Sequence, residues 1–142
     1  PGEEPAPRQP MERTLEMRKV KELLDLQTLY PGRPVNATDA TFQREVADFK
    51  GPVLAEFFAP GEGLRNLEPV LDELAETFKG QARIVKINVD NSPASASRHG
   101  VRGVPAMFFY RRGVAVDQAV GAVPKSEIER RIRAIIQDGG AQ

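Results

Sequence analysis

Sulfur chemistry is the first thing missing from this sequence: none of its 142 residues is cysteine. That excludes disulfide bracing, thiol catalysis, thiolate-held zinc and iron–sulfur clusters. A single histidine, His99, excludes a multi-histidine metal centre or a pair of catalytic histidines. Neither sign of charge is in excess, because 20 Lys and Arg balance 20 Asp and Glu. Nucleic-acid binders carry a basic surplus, so a partner gripped by its phosphates is not expected. No apolar run comes near the roughly 20 residues that cross a bilayer, and no basic-then-apolar leader is visible. The expectation is a protein without cofactor or metal, away from nucleic acid and membrane. The absence of cysteine is compatible with a cytoplasmic location, which is the location expected.

What is present is an ordinary globular balance, 40% hydrophobic and 28% charged residues. A chain of this length can bury a core without covalent staples. Residues 1–10, PGEEPAPRQP, hold four prolines and no large apolar side chain. They read as a disordered tail or a vector-derived remnant, with Met11 as a natural start. Residues 11–33 form an N-terminal extension. Its segment MERTLEMRKVKELLDLQTL (11–29) contains no Gly or Pro and ends at Pro31-Gly32, so it predicts a helix. Met17, Val20, Leu23, Leu24 and Leu26 suggest an apolar stripe, with charge on the other side. Such a helix packs on its own domain or docks on a partner or on its own copy.

From residue 34 to 138 the segments alternate. ATDATFQREVADF (37–49) predicts a helix with Thr38 as its N-cap. PVLAEFFA (52–59) and ARIVKINVD (82–90) suit strands buried on both faces. Between them, residues 64–78 place leucines at three- and four-residue steps. That is a helix, which Pro69 should kink. Residues 93–98 suggest a short helix. Residues 105–122 suggest a hairpin turning at Arg111-Arg112-Gly113, with the glycine at positive φ. Residues 126–136 predict a last amphipathic helix, with Gly139-Gly140 opening a flexible end over 139–142. A βαβ half must cross over right-handedly, and the hairpin adds antiparallel strands. The expected architecture is an α/β mixed central sheet with helices on both faces.

The strings PVLAEFFAP, EPVLDELAETFKG, IVKINVDNSPASASRHGVRGVPAMFFYRRGV and VDQAVGAVPKSEIERRI resemble the thioredoxin family, in order and in spacing. The resemblance covers about residues 34–136 and implies the thioredoxin fold. LYPGRPVNATDATF is similar to the junction of the thioredoxin-2 type, whose zinc ribbon needs the thiolates that are absent here. The family's WCGPC motif is gone too. FFAP is followed by Gly61, Glu62, Gly63, Leu64 and Arg65, one residue fewer than usual before Pro69. The first thiol of that motif attacks a disulfide as a thiolate and the second resolves the product; a carboxylate at Glu62 does neither. A cysteine-to-serine exchange would keep the loop length and the tryptophan, and this loop keeps neither.

Other positions survive by resemblance. Glu56 occupies the place of the family's buried acid and Lys86 that of its lysine neighbour, read here as a structural pair in the sheet. Val104-Pro105 matches the family's cis-proline, beside which an extended polypeptide can pair strand-fashion. Pro60, Gly61, Glu62, Val104, Pro105 and Gly121, with Gly103, would form that groove. His99 is expected at the surface, and Phe57, Phe58, Phe108 and Phe109 in the core or the groove wall. The reading that follows is a redox-inactive, thioredoxin-like binding protein without catalytic residues: an interaction module, assembly factor or holdase-type chaperone. Residues 11–29 would provide a second contact or a homodimer seam. The alternatives are a disulfide oxidoreductase whose cysteines were removed and a purely structural subunit of a larger complex.

Overall fold

The computed structural model describes residues 10–61 and 64–140. The proposed tail over 1–9, the loop residues Glu62 and Gly63, and residues 141–142 lie outside it.

Helix α1 runs from Pro10 to Leu29, with proline at its first position, where no N–H is needed. The body follows as β1 (Val35–Ala37), a π-helical turn (Gln43–Ala47), β2 (Val53–Phe58), α2 (Leu64–Thr77), β3 (Arg83–Asn88), α3 (Pro93–Arg98), β4 (Ala106–Arg111), β5 (Val114–Val120) and α4 (Lys125–Gly140). The five strands lie in the order β1-β3-β2-β4-β5. β1 and β2 run parallel to β3, whereas β4 is antiparallel to both β2 and β5.

Strand periodicity divides the core in two. Leu54, Ile84, Met107 and Phe109 point to α2 and α4, against Leu71, Leu74, Phe78, Ile128 and Ile132. Val53, Ala55, Phe57, Val85, Ile87 and Phe108 point to the other face, against Phe42 and Val46. At the hairpin tip Arg112 (φ 56°) and Gly113 (φ 79°) both take the left-handed conformation. Two such residues in succession match the right-handed twist of the flanking strands.

Several expectations change. In the helix predicted over 37–49, Ala37 instead ends the strand β1, a turn follows, and only Gln43–Ala47 is helical, as a π-helix. Thr38 does not cap through its side chain; its N–H donates to Thr41 Oγ1 at 2.9 Å. Asp39 does cap, but caps another element, accepting from the Ala94 and Ser95 N–H groups at the start of α3. Gly139 and Gly140 do not end the last helix, which includes both.

The largest change concerns α1. Every residue from 14 to 29 is exposed, so the helix does not pack on its own domain. Nor do its apolar residues form one stripe. At about 100° per residue, Met17, Val20 and Leu24 share one face while Leu15 and Leu26 fall nearly opposite. Its contacts with the body lie, among the described residues, at its C-terminal end. Arg83 Nε donates to the Leu29 carbonyl at 2.9 Å, satisfying a group that the end of a helix leaves open. The Gly80 N–H donates to the Tyr30 carbonyl, and the Tyr30 ring meets Phe49 edge-on.

Candidate functional site

The ladder between β2 and β4 places Phe57 opposite Ala106. Pro60 and Gly61, just past β2, and Val104 and Pro105, just before β4, therefore share one end of the sheet. The Gly121 N–H donates to the Pro105 carbonyl at 2.8 Å, bringing the end of β5 to the same place. The Val104–Pro105 bond is cis. Strand pairing begins only at Ala106, so the Val104 backbone stands ahead of the ladder. Pro60 and Gly61 are exposed; Val104, Pro105 and Gly121 are half-buried. Gly61 (φ 85°) and Gly121 (φ 86°) need the left-handed region, and a Cβ on either would meet open space. Leu64 and Arg65 open α2. Six of the seven proposed groove residues are thus gathered at one end, Gly103 lying next to Val104 with a Cβ there 3.7 Å from the Val120 side chain, and the seventh, Glu62, is among those not described.

Glu56 lies under this end on the side of the sheet facing α2. It is fully buried, and among the described residues neither carboxyl oxygen has a hydrogen-bond partner. Burial pushes its carboxyl up to about 8, against the opposing pull of the Lys86 ammonium. Glu56 and Lys86 are paired across the sheet as expected, but no direct ion pair closes between them. The two residues are neighbours across β2 and β3, but the Lys86 side chain reaches up to α2, where Nζ meets Glu68 Oε1 at 3.0 Å. A longer reach to a half-exposed carboxylate avoids desolvating both ions, which a buried pair cannot avoid. At neutral pH Glu56 is a protonated acid that could give or take a proton. No thiol stands beside it, because the chain contains no cysteine.

On the opposite face lies a group whose expected place is overturned. His99 is not at the surface. Its ring is half-buried within 4.9 to 5.0 Å of the Phe42, Phe57 and Phe108 rings. Nδ1 donates to the Ser95 carbonyl at 2.7 Å, which leaves Nε2 to accept from the Tyr110 hydroxyl. Burial lowers the His99 pKa and pushes Tyr110 up to about 12. A cleft of about 740 Å³ opens beside this pair, along Phe108 and Val114–Gln118. The signal available in the sequence was the position of His99 at the end of α3, which carries it inward. Among the described residues no three His, Asp or Glu side chains are grouped to hold a metal, and no helix is long and apolar enough to cross a membrane.

Comparison with known proteins bears on both fold and site. The family model described as Thioredoxin matches residues 33–134. A thioredoxin 1 from Nostoc is 42% identical over 96 residues, 67% of this chain and 90% of that protein. A thioredoxin 1 from Synechococcus elongatus is 44% identical over 92 residues, 64% of this chain and 86% of that one. Among solved structures, a mutant thioredoxin from Halobacterium salinarum superposes with a TM-score of 0.68 at 33% identity. The match covers 75% of this chain and 93% of that one. The segment preceding residue 33, α1 included, falls outside the family match.

Proposed function

The chain belongs to the thioredoxin family, and from that premise we propose that it is a redox-inactive member acting by non-covalent protein binding. The observation that carries the reading is the absence of any cysteine, with the sheet end formed by Pro60, Gly61, Val104, Pro105 and Gly121 still in place. Disulfide exchange needs a thiolate, whereas strand-fashion pairing with a polypeptide needs only backbone groups and room beside them. The Val104 backbone ahead of the ladder supports such pairing, as do the two glycines open to space. The work suited to this surface is that of an interaction module, an assembly factor or a holdase-type chaperone.

Two measurements on the full chain test this. Insulin reduction with a dithiol donor should proceed no faster than the donor alone; turnover above that background overturns the reading. Fluorescence anisotropy with labelled extended peptides should show binding that Val104→Lys weakens at least ten-fold without changing the thermal midpoint. Equal binding by the variant removes this end of the sheet from the proposal.

A further inference from the structure

Helix α1 contains 20 residues, about 30 Å of helix, and every residue from 14 to 29 remains exposed. Most of the stability of a protein helix comes from packing its apolar face, which α1 does not find on its own domain. Yet α1 is not a loose tether. Arg83 holds the Leu29 carbonyl, and the segment after it is tied down by the Tyr30–Gly80 bond and the Tyr30–Phe49 contact. Its two apolar faces are not equivalent. Leu26 leans over the domain, lining a cavity of about 350 Å³ with Tyr30, Pro52 and Ile136. Met17, Val20 and Leu24 point away from the body, at 71%, 56% and 57% exposure.

We propose that the Met17–Val20–Leu24 face of α1 pairs, parallel and with two-fold symmetry, with the same face of a second copy of this chain. Three features of the helix select that occupant. The spacing 17, 20, 24 is that of core positions in a short coiled coil. Glu16 and Lys21 flank this face on its two sides, about 70° either way from its centre. In a parallel pair those flanks meet, so Glu16 of each helix lies beside Lys21 of the other. Lys21 now pairs with Asp25 at 3.1 Å, both well exposed, and such a pair is readily exchanged. The segment carries four acidic residues (Glu12, Glu16, Glu22, Asp25) and four basic ones (Arg13, Arg18, Lys19, Lys21), so two copies meet without net repulsion. The bodies also fit. Each sits on the Leu26 side of its own helix, opposite the seam, so a parallel pair carries them outward. The seam is short, and the association is correspondingly weak and concentration-dependent.

Sedimentation of the full chain tests this over about 1 to 200 µM, the range in which a short apolar seam associates. The mass should rise from 15.6 kDa towards twice that value. Met17→Glu combined with Val20→Glu and Leu24→Glu should remain monomeric, while Leu15→Glu on the opposite face should still dimerise. The triple variant could unwind α1 itself, so a charge exchange provides the independent arm. Glu16→Lys or Lys21→Glu alone should weaken association about five-fold, and the two together should restore it. A chain that stays monomeric throughout overturns the proposal and leaves α1 to a different protein. A triple variant that still dimerises overturns the choice of face. A double exchange that fails to restore association overturns the parallel arrangement.

Discussion

Arg83 and Glu56 are both charged residue types buried in the central sheet, on adjacent strands and opposite faces, and they are treated in opposite ways. Arg83 is 8% exposed and fully engaged. It donates to the Leu29 carbonyl, to the Glu45 carbonyl and to Glu45 Oε1, and its guanidinium lies 3.6 Å from the centre of the Phe49 ring. Glu56 is 0% exposed and, among the described residues, accepts no hydrogen bond. A buried ion with good partners is tolerable, and one without them gives up its charge. Arg83 therefore reads as architecture: it joins α1, the π-helical turn and β3. Glu56 has no architectural work to do, and it lies beneath the end of the sheet from which the family's thiols have gone.

The widest separation between the two comes from pH. The folded carboxyl of Glu56 sits near 8, above the 4.5 of a free glutamate, so the folded state holds its proton more tightly than the unfolded state. Stability from this group is complete below about pH 4.5 and is lost as pH rises through 8. Glu56→Gln keeps the shape and removes the titration. Urea unfolding of both proteins at about pH 5 and pH 9 should show the parent losing about 4 kcal/mol more than the variant across that interval. Parallel changes would mean that the Glu56 carboxyl is solvated or partnered in solution.

Arg83→Met is the converse test. It removes the charge and keeps much of the stem, but it takes the Arg83 donors away from two backbone carbonyls and from Glu45 Oε1, leaving Arg44 on the other oxygen of that carboxylate. The expected loss is about 3 kcal/mol in urea unfolding. Arg83→Lys should fall between, because a single ammonium cannot span three acceptors fixed in a fork. A loss below about 0.5 kcal/mol in the methionine variant would place Arg83 with ordinary surface charges rather than with architecture.

Much of this contrast was written in the sequence, and the unread part has a physical pattern. The buried strands around Glu56 and Arg83 were legible because their apolar runs are bounded by Gly and Pro. The α2 and α4 stripes were legible because their leucines and isoleucines keep helical spacing. β1 was not, since three residues cannot display an alternation. The Glu56–Lys86 register was legible, but not the direction of a side chain long enough to reach Glu68 instead. In α1, apolar residues at mixed spacings looked like a stripe, though consecutive leucines such as Leu23 and Leu24 diverge by about 100°. The end of the sheet at Pro60 and Pro105 was found through family resemblance. The anchoring of α1 by Arg83 joins residues 54 apart in the chain, and no local pattern announces it.

His99 refines the comparison, because it is partnered like Arg83 in one protonation state only. Neutral, it donates through Nδ1 to the Ser95 carbonyl and accepts through Nε2 from the Tyr110 hydroxyl. Protonated, both nitrogens are donors, and Nε2–H would face a hydroxyl that must turn its own proton away inside an aromatic cage. Burial accordingly lowers the His99 pKa below its ordinary 6.5, with Arg98 adding a smaller push in the same direction. The unfolded state then takes up the proton first. Stability from neutral His99 is complete above the unfolded pKa and declines as pH falls below it, opposite in sign to the Glu56 effect. His99→Phe extends the cage and removes the titration. The thermal midpoint of the parent should therefore drop more than that of the variant between about pH 7.5 and 5. Equal drops would show that the ring leaves its cage when charged, with the acid limb of stability then belonging to other groups.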